Sequence, residues 1–520
     1  MSNALSIIRS LIIYSLCLPL AIFLGYLLAM PMADYRSWIT VVLIVFIPLV
    51  PLLLRWHHFL LIASWNFTAV LFFLPGRPNV WIVMAVVSLL LSILQHILHR
   101  ESKFLSVPSV ARPLIFLFLV VLITAKSTGG IGIRAFGGEE FGGKRYILVL
   151  TAILGYFAIA CRRVPPGREV LYVSVFFLSG LSWAISSMGM FVDPGLYFIF
   201  AVFPVENLTV GGEVGQELYL RLGGLSAAAQ MVVWYGLARH GLRGLFRLNE
   251  LWHFMPFRLR GGFQINQPWR AAFVLVAIWL SLQGGYRGAA IFFALVFATQ
   301  FFLEGLHRTR VMPVVILMGI LSVAIGLPMV SKLPPMVQRA LSFLPLDIDP
   351  AVRMNAEEST EWRERMWSIV LPTVPQYLLL GKGYAIDPGE LSMAQITKDT
   401  VQNAIVAGDY HSGPLTVIVP LGIWGAIGFL WFLGASIRVL HRNFRYGDSE
   451  LRVINTFLLT YFVVRTITFF VVFGSFHTDF CTFTGLIALS ISINGGVRGP
   501  VKVPATAPVF KPLRLARATR

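Results

Sequence analysis

Residues 408–437 read GDYHSGPLTVIVPLGIWGAIGFLWFLGASI. The first residues are polar or small, His411 is the last titratable one, and no charge follows until Arg438. An apolar run of this length crosses the ~30 Å hydrocarbon layer as a helix, which satisfies every backbone group inside the segment. The stretch therefore marks a loop that re-enters a membrane. Similar runs recur along the chain, so the fold class is all-α: a polytopic transmembrane helical bundle.

Composition agrees. The 520 residues are 57% hydrophobic and 13% charged, with mean hydropathy +0.76. A water-soluble domain averages about a quarter charged. Apolar runs predict spans near 10–30, 38–54, 59–75, 79–98, 112–126, 146–162, 169–191, 222–239, 269–284, 288–305, 311–330, 412–437, 452–474 and 479–494. That is fourteen runs and about 12–14 spans, the third, fifth and ninth runs being short. Residues 194–204 are too short to cross and read as re-entrant or interfacial. The chain divides into an N-terminal transmembrane region over residues 1–330, one large loop over 331–411, a C-terminal transmembrane region over 412–494 and a basic tail over 495–520.

Most of the Lys and Arg residues fall in segments on the N-terminal side of the membrane, and most acids fall on the other. The positive-inside rule then puts both termini in the cytoplasm and 331–411 outside. The net charge of +18 is explained by contact with anionic membrane lipids at the inner face. No aromatic-basic module points to nucleic acid. Residues 239–270 are basic and aromatic and read as an interfacial helix or loop. Cys17, Cys161 and Cys481 lie far apart in apolar surroundings, which is no disulfide framework. No HExxH, CxxC or paired-carboxylate pattern suggests a metal, and no cofactor is expected.

The large loop carries the chemistry-bearing residues. From Glu357 the run EESTEWRERMW turns helical, with Ser359 and Thr360 as candidate N-caps. Arg363 and Trp367 are four apart and share a face. They read either as a guanidinium fork for phosphate beside an apolar platform, or as an amphipathic interfacial helix whose Arg pairs with Glu. Gly381-Lys382-Gly383 lacks phosphate-loop spacing and reads as a turn. His411 stands at the water edge, where an imidazole can take a proton near neutral pH, or simply cap the next helix. Arg287 sits in the tight connection LQGGYRGAA. Arg465 lies within YFVVRTITFF, where an Arg is costly and usually faces a polar cavity.

Three of these features resemble the O-antigen ligase family and its relatives, the O-antigen and exopolysaccharide polymerases. One is His411-Ser412 followed by Gly422 and Gly425. Another is Arg363-x-x-x-Trp367 before Gly381-x-Gly383. The third is the hairpin around Arg287, in which Tyr286 stands where the family usually has Ser. The resemblance implies an inverting, metal-independent membrane glycosyltransferase of the bacterial inner membrane. It implies an undecaprenyl-diphosphate-linked glycan donor and a glycan or lipid acceptor at the periplasmic face. Arg287 and Arg363 would hold the diphosphate and His411 would help deprotonate the acceptor. Arg465, Arg365, Trp367 and Tyr286 join them as candidate substrate contacts. A lipid-linked glycan transporter or flippase is the rival reading; it would also want Arg-lined cavities.

Overall fold

The computed structural model describes residues 35–500, apart from 75, 99–103, 131–142, 190, 206–209, 212–218, 246–256, 259–263, 266–268 and parts of 387–398. The expected span 10–30, most of the basic segment 239–270 beyond Leu245, and the tail from 501 lie outside the described residues. The chain has two compact units, Met1–Leu60 and Leu61–Arg520.

The helix that runs out of the first unit, α1, is continuous over Tyr35–Ser64. Two spans were expected here, 38–54 and 59–75. The intervening RWHH contains no helix breaker, so the helix runs through it. The chain instead turns after Ser64. Asn66 Nδ2 donates to the Phe176 carbonyl, Gly76 takes φ 75°, and Val70 pairs with Asn79 in a lone bridge. From residue 79 onward every expected span has its helix. These are α2 (Val80–Leu98), α3 (Pro108–Thr128), α4 (Gly143–Ala160), α5 (Glu169–Leu178, extended by tight turns to Ser186), α6 (Gly223–Leu245), α7 (Trp269–Leu282), α8 (Arg287–Leu303) and α9 (Val311–Gly326). Three more follow the large loop. Among the described residues seven helices are long and apolar enough to cross a membrane, and shorter apolar helices accompany them. The chain is a multi-pass, all-α membrane protein. Two ladders of two-residue strands are the only sheet among the described residues. Residues 194–204 form two short turns with Tyr197 and Phe198 exposed, as suits an interface.

In a bilayer, lipid tails compete equally for apolar side chains, so helices associate through close packing and polar contacts. Both are visible. Trp65 fits against Gly155 of α4 and a glycine of the last helix, Gly485, leaving no room for a Cβ at either, and its Nε1 donates to the Cys481 carbonyl. Trp234, Phe292, Phe457 and Tyr461 pack ring to ring, mostly edge to face. By contrast α9 is apolar and largely exposed along its described residues.

The large loop is folded. It forms α10 (Pro335–Ala340), α11 (Pro350–Val370) and α12 (Thr400–Val406). The helix expected from Glu357 starts earlier, at Pro350. Its cap is Asp349, whose carboxylate accepts from Ala351 N, so Ser359 and Thr360 lie mid-helix. The loop returns through α13 (Gly413–Tyr446), α14 (Arg452–Val471) and α15 (Phe476–Asn494). Met366, Val370, Val401, Tyr410, Leu415 and Val419 form one buried cluster that ties α11 and α12 to α13.

Pro420 and Gly422 break α13. Gly422 takes φ 64°, and the interrupted ladder frees carbonyls that the loop then uses. Lys382 N donates to Val419 O (2.7 Å), Gly383 N to Pro420 O (2.9 Å) and Ile423 N to Leu378 O (2.7 Å). Gly381 and Gly383 take φ 78° and 76°, and a Cβ on Gly381 would collide with Pro420 O. The Gly-Lys-Gly turn and the glycines after His411 are therefore two halves of one joint. It anchors the loop in the kink of α13.

Candidate functional site

At the end of the bundle that carries the loop, α7 and α8 meet in the turn Gly284-Gly285-Tyr286. Gly285 takes φ 67°, and a Cβ on Gly284 would strike Ser226 and Tyr286. This tight turn starts α8 at Arg287, whose two terminal nitrogens both donate to Thr360 Oγ1 at 3.2 Å. Thr360 and Arg363 are three apart, so α11 presents them on one face. The Arg287 hairpin and Arg363 are thus brought together.

Two further arginines, not singled out from sequence, join them. Arg339 on α10 is buried; its Nη1 donates to Gly285 O (2.7 Å) and its Nε to Asn355 Oδ1 (2.8 Å). It ties the hairpin to α10 and α11. Burial, then the charges of Arg221, Arg287 and Arg363, pull its pKa down to about 9. Arg221 precedes α6. Its Nε is buried and has no hydrogen-bond partner, and burial and Arg287 lower its pKa. Burial and Arg287 also lower that of Arg363. Among the described residues no carboxylate is ion-paired with any of these four guanidinium groups. Like charges that crowd one another in a half-buried site favour an anion between them.

His411 stands beside this cluster, close enough that the Arg363 charge lowers its pKa; burial is the larger cause, and Asp409 pulls the other way. Its Nε2 lies 3.5 Å from Asp409 Oδ2, and its Nδ1 is buried with no partner. The backbone at His411 is left-handed, φ 47°, which is uncommon for a residue with a Cβ. The surroundings impose it. Trp367 Nε1 donates to Tyr410 O (2.9 Å), the Trp362 ring meets the imidazole edge-on at 5.1 Å, and Phe473 stands at 5.2 Å.

The other sequence candidates divide. Trp367 makes that bond to Tyr410 and packs against the α11–α13 cluster. Arg365 points away from Arg363, is largely exposed, and pairs with Asp399 at 3.2 Å. Tyr286 is the N-cap residue of α8 beside the arginine cluster and is 40% exposed. Arg465 on α14 is ion-paired with Asp479 of α15, and its guanidinium lies over the Phe292 ring at 5.7 Å. Asp479 is buried and also accepts from Ser475 N. Arg465 thus joins α14, α15 and α8 as a compensated charge.

Residues 271–430 match the family model described as O-antigen ligase. The matched segment contains Arg287, Arg339, Arg363 and His411 together with the joint at Gly381 and Gly422. This part of the chain is therefore similar to the O-antigen ligase family, within a multi-pass membrane protein. No curated protein matches the chain.

Proposed function

We propose that the protein is an O-antigen ligase- or polymerase-like glycosyltransferase that acts at the periplasmic face of the bacterial inner membrane, with both termini cytoplasmic. It takes an undecaprenyl-diphosphate-linked glycan and transfers it, with inversion, to a glycan or lipid hydroxyl. The observation that carries the reading is the four-arginine cluster beside His411, in which no guanidinium is ion-paired with a carboxylate among the described residues. A leaving diphosphate develops charge as the glycosidic bond breaks, and fixed guanidinium groups stabilise that charge without a metal.

Arg287 and Arg363 face the diphosphate, Arg287 steadied by Thr360. Arg339 holds the hairpin and adds its charge. The Asp409 carboxylate faces Nε2 of His411, which favours the tautomer with its proton there. Nδ1, free of any partner, is then the lone pair that accepts the acceptor's proton. The acceptor oxygen attacks the anomeric carbon from the face opposite the diphosphate. The bond to the diphosphate oxygen breaks, and the lipid diphosphate leaves with the electron pair.

The test is transfer by the purified protein from a lipid-diphosphate glycan in the presence of EDTA. Wild type should transfer. Arg287→Ala, Arg363→Ala and His411→Ala should each insert normally and lose at least about 10²-fold in rate, the scale of one such group. Loss of wild-type transfer in EDTA, restored by a divalent cation, would refute the metal-independent step. Movement of intact lipid-linked glycan across vesicles with no transfer product would favour a flippase.

A further inference from the structure

We propose that the same end of the bundle holds a second anion site, built on Arg145 and Tyr384, which takes a phosphate or sugar carboxylate carried by the acceptor. The proposal rests on the transfer reading above. Arg145 lies in the first turn of α4. Its Nη1 is 2.8 Å from where a Cβ on Gly408 would stand, so the guanidinium lies against backbone three residues before His411. The Arg145 charge acts on Tyr384, Tyr410 and His477. None of these feels the four-arginine cluster, whereas His411 feels Arg363. One positive pole, Arg145, thus lies against Gly408, and the other, Arg363, acts on His411.

Among the described residues no carboxylate is ion-paired with Arg145. Beside it stands a second unmet donor. Tyr384 is 5% exposed, and its hydroxyl has no hydrogen-bond partner. Burial raises its pKa and Arg145 pulls against that, so the phenol stays protonated and able to donate. Its frame is firm: Tyr384 N donates to Tyr146 Oη (2.8 Å), that hydroxyl meets Thr128 Oγ1 (3.2 Å), and the two tyrosine rings pack at 5.0 Å. A guanidinium supplies donors and no acceptor, so with a phenol O–H it suits an oxyanion better than a neutral sugar. The donor's diphosphate occupies the other pole. An anion here belongs to the acceptor, and it would bring the neighbouring hydroxyl toward His411.

The test is arginine labelling by phenylglyoxal on the full-length protein in detergent, read residue by residue by peptide mass spectrometry. Inorganic phosphate and glucuronate are the two acceptor probes, and pyrophosphate is the donor-site probe. One or both acceptor probes should slow labelling of Arg145 about tenfold. The better probe names the group: phosphate for a phosphorylated acceptor, glucuronate for a sugar acid. Tyr384→Phe should weaken that protection about tenfold while pyrophosphate still protects Arg363. Labelling of Arg145 unchanged by either probe would overturn the proposal. So would protection unaltered in Tyr384→Phe. Failure of pyrophosphate to protect Arg287 and Arg363 would instead count against the transfer reading, so the two failures are separable.

Discussion

His411 is where sequence, strain and electrostatics meet. Its left-handed backbone is held by Trp367, Trp362 and Phe473, and its buried Nδ1 is left without a partner. A strained residue held this firmly is consistent with function at that position. Burial sets its folded pKa below the ordinary 6.5, with Asp409 opposing and Arg363 adding to the fall. The neutral base therefore persists as pH drops through 6.5, and transfer should decline only at lower pH. Asp409→Asn removes the one influence that raises the value, so the acid limb should move lower still. The plateau rate should fall about tenfold as the tautomer loses its orienting partner. A limb at or above 6.5, or one that moves upward in Asp409→Asn, would contradict this. As pH falls, the unfolded chain binds the proton before the folded one does. The His411 contribution is whole above 6.5 and is lost as pH falls from 6.5 toward the folded value. Sequence could single out Arg287 and His411 at the edges of apolar runs and Arg363 by its spacing to Trp367, with their roles implied by the family resemblance. It could not point to Arg221 or Arg339, which sit in ordinary loop context. Their significance lies in what surrounds them in space. Arg465 stood out for the cost of its depth, but its partner Asp479 is contributed by the next helix.

At the scale of elements, the joint between the Gly-Lys-Gly turn and the kink of α13 positions the loop over the bundle. Gly422→Ala places a Cβ at φ 64° and 2.9 Å from Leu378 O, and Gly381→Ala drives one into Pro420 O. The backbone strain alone costs about 1–2 kcal/mol. Both variants should lower the thermal unfolding temperature and cut transfer although neither residue touches substrate. A wild-type melting temperature in Gly381→Ala would mean the joint is not what holds the loop. Helix existence was legible from residue 79 onward because apolar runs near twenty residues leave few alternatives. The joint was not. A glycine shows its use only when the carbonyl it must avoid is known. The α1 discrepancy has the same origin: charge in RWHH suggested an exit, but nothing there stops a helix.

For the whole molecule, two ends are distinct. At the end opposite the loop, Asn443, Asn455, Asn494 and Ser490 hydrogen-bond to one another and pin α13, α14 and α15. Asn455→Ala should cost about 1–2 kcal/mol by detergent unfolding, the upper range for such bonds in membranes; an unchanged midpoint would show the network to be dispensable. A 34-residue helix, α13, separates the loop from the turn at Ser449. Single cysteines at Ser359 and Ser449 should therefore react from opposite sides of the membrane, Ser359 from the periplasm. Labelling of both from one side would remove α13 as a crossing and with it the placement of the site. The central claim is that Arg287 and Arg363 act on one leaving diphosphate beside His411. Its most direct test is a double-mutant cycle on single-turnover transfer with Arg287→Ala, Arg363→Ala and the pair. Groups that serve one charge are not independent, so the double variant should be little slower than the worse single variant. A double variant slower by the product of the two single losses, or a single variant at wild-type rate, would contradict it.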